Sequence, residues 1–370
     1  MSQLLARIEE QLATTSEPWK RAVLVARRGC YWSRVGRFDE ARRTVLELRV
    51  SFGQGQDGRV TVWIMLLEGL IHLYESIGSG ARDRFNRAQF LSIATQDSEL
   101  ISITSAWKAH FEFETSDFVA MVASLQLALE HLTADRHDAC SRVAMVIADV
   151  LFVCGDRSMA QTWFMLSRDH ALAAGDQATI DALLYNRAAF GLAWLRAHRC
   201  FGPLDQGLVS AVSMEISSAI NFQALTRVEA LQNFVYLCEA RVLALANDFQ
   251  GASAALERIR NKGPFASYNF SQEVIDLELA YCHFKMGHIQ SALSYYEKVD
   301  NSTFQQLDTD EQLVAQWMRY ELAHSDPRFG DPGKEFALLI GLRAAYNESI
   351  EILRRSVDVI AIAPSHIKLH

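Results

Sequence analysis

Proline is scarce in this sequence, with 6 residues in 370, and glycine, with 19, is modest. Runs in which Val, Ile or Thr alternate with polar residues are almost absent, so the pattern typical of half-buried strands is missing. Proline and glycine are the two residues that most weaken a helix interior. A folded chain that has little of either, and no strand pattern, is predicted to consist mostly of α-helices.

The cysteines show no Cys-x-x-Cys pair. The six are widely scattered, and each lies within or at the end of a helical pattern: Cys30, Cys140, Cys154, Cys200, Cys238 and Cys282. This spacing argues against a disulfide framework and against a thiolate metal site. We expect reduced, partly buried thiols in a cytoplasmic protein.

Targeting and membrane-spanning segments are also missing from the sequence. The first ten residues contain Glu9 and Glu10 and no apolar core of signal-peptide length. The apolar run from Val60 to Tyr74 is too short to span a bilayer and contains Glu68 and His72. With 36 Lys and Arg against 44 Asp and Glu, the net charge is -8. This balance disfavours a nucleic-acid or anionic-membrane partner.

No catalytic motif is present. There is no nucleotide-binding Gly-x-x-x-x-Gly-Lys loop, and no Ser, His and Asp set can be assembled from spacing. His131 and Asp135 are four residues apart, as on a metal-binding helix face, but a junction between repeats accounts for polar residues there. We therefore predict no enzyme activity, no cofactor and no metal.

The stretch from Arg28 to Leu48 shows what the chain does contain. It combines Gly29, an aromatic residue three positions later (Trp32), a turn at Gly36 and a small residue at Ala41. Glycine can end a helix in the left-handed conformation, and alanine lets two helix axes approach closely. The stretch predicts two antiparallel helices joined by a tight turn.

Similar turns recur along the whole chain. They fall near residues 36, 78, 116, 155, 199, 247, 287 and 326, with small residues at the corresponding close-contact positions Ala160, Ala252 and Ala292. Steps of about 40 residues predict an array of about eight helix pairs.

The arrangement at Gly29, Trp32, Gly36 and Ala41 resembles the tetratricopeptide repeat. The longer period is similar to the superhelical domains of bacterial MalT-like and Rap-like regulators, and Asp169–Asp176 followed by the helix 177–195 resembles their repeat junction. The resemblance implies an all-α, right-handed superhelical solenoid of antiparallel helix pairs. We assign 1–17 to a leading helix, 18–357 to the solenoid and 358–370 to a C-terminal tail.

Solenoids of this type bind partners on the concave face, which the first helix of each pair lines. The tetratricopeptide register places there Cys30 and Arg34 from the first repeat, Ala106, His110 and Phe113 from the third, and further aromatic and charged residues from later repeats. The resemblance to Rap-like peptide receptors implies that asparagines on these helices hold a ligand backbone. Our candidates for partner binding are Arg142, Asp149, Asn186, Asn233, Arg241 and Tyr281.

Structural alternatives stay open for these residues. The aromatic side chains could be core, the asparagines could bond between helices, and Arg142 and Arg241 could form structural ion pairs. No DNA-binding helix-turn-helix pattern follows Glu335, and we expect no obvious output domain in this sequence.

The function that we predict is a bacterial, protein- or peptide-binding adaptor or regulatory scaffold. The alternatives are a peptide-sensing switch of the Rap-like kind and an accessory subunit of a larger enzyme or defence complex. A homo-oligomer is left open.

Overall fold

The computed structural model describes residues 2–53, 57–76, 79–226, 228, 230, 232–261, 271–305 and 307–360. Across these ranges the regular structure is helical, without a strand. The predicted turn at Gly78 and most of the predicted tail, residues 361–370, lie outside the described residues.

The chain divides into two compact units. Unit 1 comprises the described residues of Met1–Leu183, Gln223–Leu231 and Ile352–His370, and unit 2 those of Leu184–Phe222 and Gln232–Glu351.

Unit 1 is built from successive helical hairpins. Its helices are α1 (Gln3–Thr14), α2 (Pro18–Arg34), α3 (Phe38–Phe52), α4 (Gly58–Ser76), α5 (Ser79–Thr95), α6 (Ser98–Glu114), α7 (Phe118–Glu130), α8 (His137–Val153), α9 (Arg157–Ala174) and the first residues of α10 (Gln177–Arg199). Helix α2 packs on α3, α4 on α5, α6 on α7 and α8 on α9, while α2 also packs on α4 and α6 on α8. The first helices of the hairpins thus lie next to one another.

Unit 2 contains the rest of α10 and most of the later helices. These are α11 (Gln206–Thr226), α12 (Gln232–Leu245), α13 (Phe249–Arg260), α14 (Gln272–Lys285), α15 (Ile289–Tyr296), the short α16 (Asn301–Phe304), α17 (Thr309–Ser325), a 3-10 turn at Pro327–Phe329 and α18 (Pro332–Ile360). Helices α10, α11 and α18 contribute residues to both units.

Left-handed backbone conformations mark the turns between helices. The predicted turn residues Gly36, Ser116, Gly155, Asn247 and Gly287 all have positive φ angles, between 56° and 88°. Gln96 and Gly175 adopt the same conformation at junctions where one hairpin follows another. The turns predicted at these five residues are therefore confirmed.

An aspartate follows the left-handed residue at five of these turns and begins the next helix. Its carboxylate accepts a hydrogen bond from a backbone N–H in the first turn of that helix, which stabilises the otherwise unpaired helix start. The five are Asp97, Asp117, Asp156, Asp176 and Asp248.

The core of unit 1 confirms the close contact predicted at Gly29. A Cβ atom there would lie 2.8 Å from Leu67 Cδ2 and 3.0 Å from Thr44 Cγ2, so glycine lets α2 approach both α3 and α4. Ala41 and Ala160 are fully buried at the corresponding positions of their hairpins.

The core of unit 2 has three parts. One joins α10, α11 and α12 through residues such as Leu195, Ile216 and Val242. The second joins α12, α13 and α14, and the third joins α14 to α17 and α18 through Tyr281, Trp317 and Leu339. Ala292 is fully buried, as the repeat register predicts.

Two further sequence predictions concern cysteine and the membrane. All six cysteine side chains are buried. Burial raises the pKa of the Cys30 and Cys140 thiols to about 12, so these two do not supply reactive thiolates near neutral pH. Within the described ranges, none of the helices has the length and apolar character that crossing a bilayer requires.

Candidate ligand-binding cavity

Unit 1 contains a cavity of about 250 Å³, which we call the unit 1 cavity. Its lining comes from α1, α2, α4, α6, α8, the end of α9 and the start of α10. The apolar part includes Leu66, Leu70 and Ile103. The charged part consists of five arginines and four carboxylates: Arg7, Arg27, Arg34, Arg136, Arg142, Glu99, Asp135, Asp138 and Asp176.

Arg142 is the most unusual residue of this lining. Its side chain lies on α8 and the residue is 2% exposed. The guanidinium carbon is 3.7 Å from the centre of the Trp107 ring on α6, a cation–π contact. Its Nη1 atom lies 2.9 Å from Met145 Sδ, which is a weak acceptor, and its Nε atom has no hydrogen-bond partner. In the described part of the chain, no carboxylate lies within ion-pair distance of this guanidinium.

Burial lowers the pKa of Arg142, the direction expected for a cation removed from water. The positive charge of Arg34 adds to this effect, while Tyr74, Asp176 and Asp149 oppose it without reversing it. An arginine side chain nevertheless stays protonated at physiological pH. The cavity therefore holds a buried positive charge that the lining does not neutralise by direct contact.

Arg34, by contrast, is paired with a carboxylate at the same cavity. Its Nη1 donates to Asp176 Oδ2 at 2.7 Å and to Thr179 Oγ1 at 2.9 Å. The Thr179 hydroxyl also donates to Asp176, at 2.9 Å. Burial opposes ionisation of Asp176, but the charge and hydrogen bond of Arg34 outweigh it, so the pKa of Asp176 lies below its ordinary value. This pair is charge-neutral and fixes the junction between α2 and α10.

A ring of ion pairs surrounds the cavity at more exposed positions. Arg27 lies 3.2 Å from Asp138, and Arg136 lies 2.6 Å from Glu99. The side chains of Arg27 and Arg136 are 31% and 42% exposed, so these pairs form the solvent-facing rim.

His110 contributes no second positive charge near Arg142. Its ring meets Trp107 edge-on, with ring centres 5.8 Å apart. Burial, together with the charge of Arg142, holds the pKa of His110 well below its ordinary value. The imidazole is therefore neutral at physiological pH.

The buried arginines of unit 2 differ from Arg142. Arg241 lies 2.8 Å from Glu278 and 2.8 Å from Glu311, and Arg196 contacts the same two carboxylates at 2.7 Å each. Burial opposes ionisation of Glu311, but the two arginines outweigh it and its pKa is lowered. The structure shows the ion pair that sequence reasoning left open for Arg241.

The other residues predicted to bind a partner do not share one cavity. Tyr281 lines a small unit 2 cavity of about 40 Å³ together with Arg241, and its ring packs against Trp317. Asp149 is fully buried two turns beyond Arg142 on α8, and Asn186 is buried on α10, but neither lines a described cavity. Asn233 belongs to α12, and its side chain lies outside the described residues.

Arg142 and Asp149 thus belong to unit 1, and Asn186, Asn233, Arg241 and Tyr281 belong to unit 2. Their joint role in binding stays a prediction. Among residues of the predicted inner face, the structure brings Cys30, Arg34 and Arg142 together around the unit 1 cavity.

Sequence reasoning missed Trp107 and Asp176. The tetratricopeptide register assigned Ala106 and His110 of α6 to the inner face, whereas Ile103 and Trp107, one turn apart on the adjacent stripe, line the cavity. Asp176 lay in the repeat-junction stretch, and its position after Gly175 was the available signal. Helical periodicity alone does not show whether Trp107 or His110 faces the cavity.

The polar cluster near His131 has ordinary structural contacts. The Asp135 carboxylate accepts from the Thr133 hydroxyl at 2.6 Å, and His137 Nδ1 lies 3.0 Å from His170 Nδ1. Over the ranges that the structure covers, His, Cys, Asp and Glu side chains form no group of three that could hold a metal ion.

Comparison with known proteins identifies the fold. The chain matches no protein-family model and no curated protein sequence. It is similar to the crystal structure of a Rap protein complexed with Competence and Sporulation Factor, with a TM-score of 0.54 and 10% identity over 93% of this chain and 100% of that one. The apo form of RapI matches with a TM-score of 0.43 and 12% identity over 97% and 93% of the two chains. The predicted all-α, tetratricopeptide-like solenoid fold, similar to that of a Rap protein, is confirmed.

Proposed function

We propose that this protein is a peptide- or protein-binding adaptor or regulator and that its ligand binds in the unit 1 cavity. The observation that carries the proposal is the buried, uncompensated guanidinium of Arg142 beside Trp107 in an open space. Ligand pockets are concave and use placed polar groups to fix the orientation of the ligand.

The position of the cavity supports a segment of polypeptide as the ligand. Most of the lining residues come from the first helices of successive hairpins, which form the face that helical-repeat proteins use for extended partners. A volume of about 250 Å³ is near the lower limit of ligand pockets, roughly 300–1,000 Å³. It fits one anchoring residue of a longer segment better than a whole bound molecule.

The similarity in fold gives further support. The Rap protein was crystallised in complex with Competence and Sporulation Factor, so a protein of this fold binds a ligand of that name. Binding of a ligand in the present chain would give it the role of an adaptor, or of a regulator if binding changes a second interaction.

The test is to screen the purified chain against a random pentapeptide library and to identify retained peptides by mass spectrometry. Ala174→Trp, at a half-buried lining position, should fill the opening and abolish retention. Ala123→Trp, at an exposed position on α7, is the matched control and should retain the same peptides as the parent. Retention of no peptide by the parent would contradict short-segment binding, and equal retention by both variants would place the site elsewhere.

A further inference from the structure

The charge balance around Arg142 indicates what kind of group the cavity accepts. Arg34 at the same cavity is paired with Asp176 at 2.7 Å, and in unit 2 Arg196 and Arg241 each contact two glutamates. The fold therefore supplies carboxylates to these three buried arginines. Arg142, which is 2% exposed, forms no ion pair with the described residues, and Asp176 and Asp149 act on its charge only from beyond ion-pair distance.

A buried charge without a counter-charge costs several kcal/mol. The cost falls when a ligand brings the missing anion, because the low-dielectric surroundings that penalise the lone charge strengthen the pair. Arg142 is therefore a buried cation for which a ligand could supply the counter-charge.

The geometry at Trp107 restricts how the anion can approach. The guanidinium carbon lies 3.7 Å from the centre of the indole ring, so the ring covers one side of this group. The Nε donor is buried and has no hydrogen-bond partner, so a carboxylate that binds there must displace the atoms that now cover it. At the edge of the guanidinium, Nε and a terminal nitrogen together match the two oxygens of a carboxylate. Binding at this edge would leave the cation–π contact intact.

The surrounding charges favour an anion with a single charge. Asp176 lies at the same cavity, and Asp138 and Glu99 lie at its rim. These carboxylates are already paired with Arg34, Arg27 and Arg136, and they would repel a doubly charged phosphate more strongly than a carboxylate. One buried guanidinium also neutralises one negative charge and no more.

We propose that Arg142 binds a carboxylate of the ligand, with Trp107 holding the guanidinium in place. The proposal rests on the proposed function, since it names the group by which a bound peptide would be recognised. The carboxylate has two sources, a free peptide C-terminus or an Asp or Glu side chain. Either carboxylate would bind the same guanidinium nitrogens of Arg142.

Three libraries of N-acetylated random pentapeptides test the proposal and separate the two sources. The first has free C-termini and no Asp or Glu, the second has amidated C-termini with Asp and Glu, and the third has amidated C-termini without Asp or Glu. We expect the first, the second or both to be retained about tenfold or more above the third. Retention of the first alone assigns the C-terminus, and retention of the second alone assigns a side chain.

The matched variants are Arg142→Met and Arg168→Met. Arg168 is a half-exposed arginine on the outer helix α9, paired with Asp169 at 3.0 Å. Arg142→Met should remove the preference for carboxylates, and Arg168→Met should keep it. Arg142→Lys keeps the positive charge but lacks the planar guanidinium, so it should retain a weaker preference for carboxylates. This result would show that the loss in Arg142→Met is not caused by misfolding. Thermal melting followed by circular dichroism checks the fold of both Arg142 variants.

The outcomes separate the two proposals. If the third library is retained as well as the other two, or if Arg142→Met keeps the carboxylate preference, the carboxylate assignment is wrong while peptide binding stands. If the parent retains nothing from any library, peptide binding and the carboxylate assignment are both overturned.

Discussion

The guanidinium carbon of Arg142 lies 3.7 Å from the centre of the Trp107 ring, and this contact joins α8 to α6 at the wall of the unit 1 cavity. Stacking on an indole ring stabilises a cation but does not neutralise it. The free protein therefore keeps a buried positive charge beside an open space. Arg241, by contrast, contacts Glu278 and Glu311, each at 2.8 Å.

Arg142→Met should raise the free energy of unfolding by about 1 kcal/mol, because a neutral side chain of similar length removes an uncompensated buried charge. Urea denaturation of parent and variant in the absence of ligand measures the difference. Arg168→Met, at an exposed pair, should change stability by less than about 0.5 kcal/mol. A loss of stability in Arg142→Met would mean that groups of the protein itself already stabilise the Arg142 charge.

Arg241→Met should act in the opposite direction and destabilise the protein by about 3 kcal/mol, because it leaves two buried glutamates to share Arg196. The same urea titration measures it. Adding Glu278→Gln to Arg241→Met should recover part of the loss, since it removes the one excess negative charge that Arg241→Met leaves. If Arg241→Met is as stable as the parent, the four-residue network contributes nothing to folding.

Asp181 should make stability depend on pH. Burial raises the pKa of this carboxyl from 3.8 to about 7, although it accepts a hydrogen bond from Gln223 at 3.1 Å. Because folding raises this pKa, the contribution of Asp181 to stability is full below pH 4 and is lost as the pH rises to about 7. Over this range the free energy of unfolding should fall by up to about 1.4 kcal/mol per pH unit. Asp181→Asn should flatten this part of the profile and be more stable than the parent at pH 8. Identical pH profiles for parent and variant would show that Asp181 titrates normally.

Ala160→Leu should cost about 1–3 kcal/mol, because Ala160 is fully buried where α9 meets α8 and the larger side chain overpacks that contact. Ala41→Leu and Ala292→Leu should have similar effects in their own hairpins. The exposed Ala123→Leu is the control, and thermal melting compares the four. Unchanged melting temperatures for all three buried variants would mean that the repeat register is wrong.

The helices and most turns could be predicted because local signals specify them. Gly36, Gly155 and Gly287 adopt the left-handed conformation that glycine permits, and Pro18 begins α2 at the first helical position. The division into two units could not be predicted, because it depends on contacts between residues distant in sequence.

The site could be predicted only in part. Arg34 and Arg142 follow from the repeat register, but the partner of each does not. Asp176 is 142 residues from Arg34 in the sequence, and spacing could not show that it pairs with Arg34 rather than with Arg142. Trp107 was missed because one helical turn contains both it and His110, and a single sequence does not show which of the two faces the open space.

A crystal structure of the protein with the most strongly retained library peptide tests the central claim most directly. The account predicts electron density for the peptide in the unit 1 cavity, with a carboxylate within about 3 Å of the Arg142 guanidinium edge and Trp107 still stacked on its face. Density for the peptide at any other surface, with the unit 1 cavity unchanged, would contradict the account.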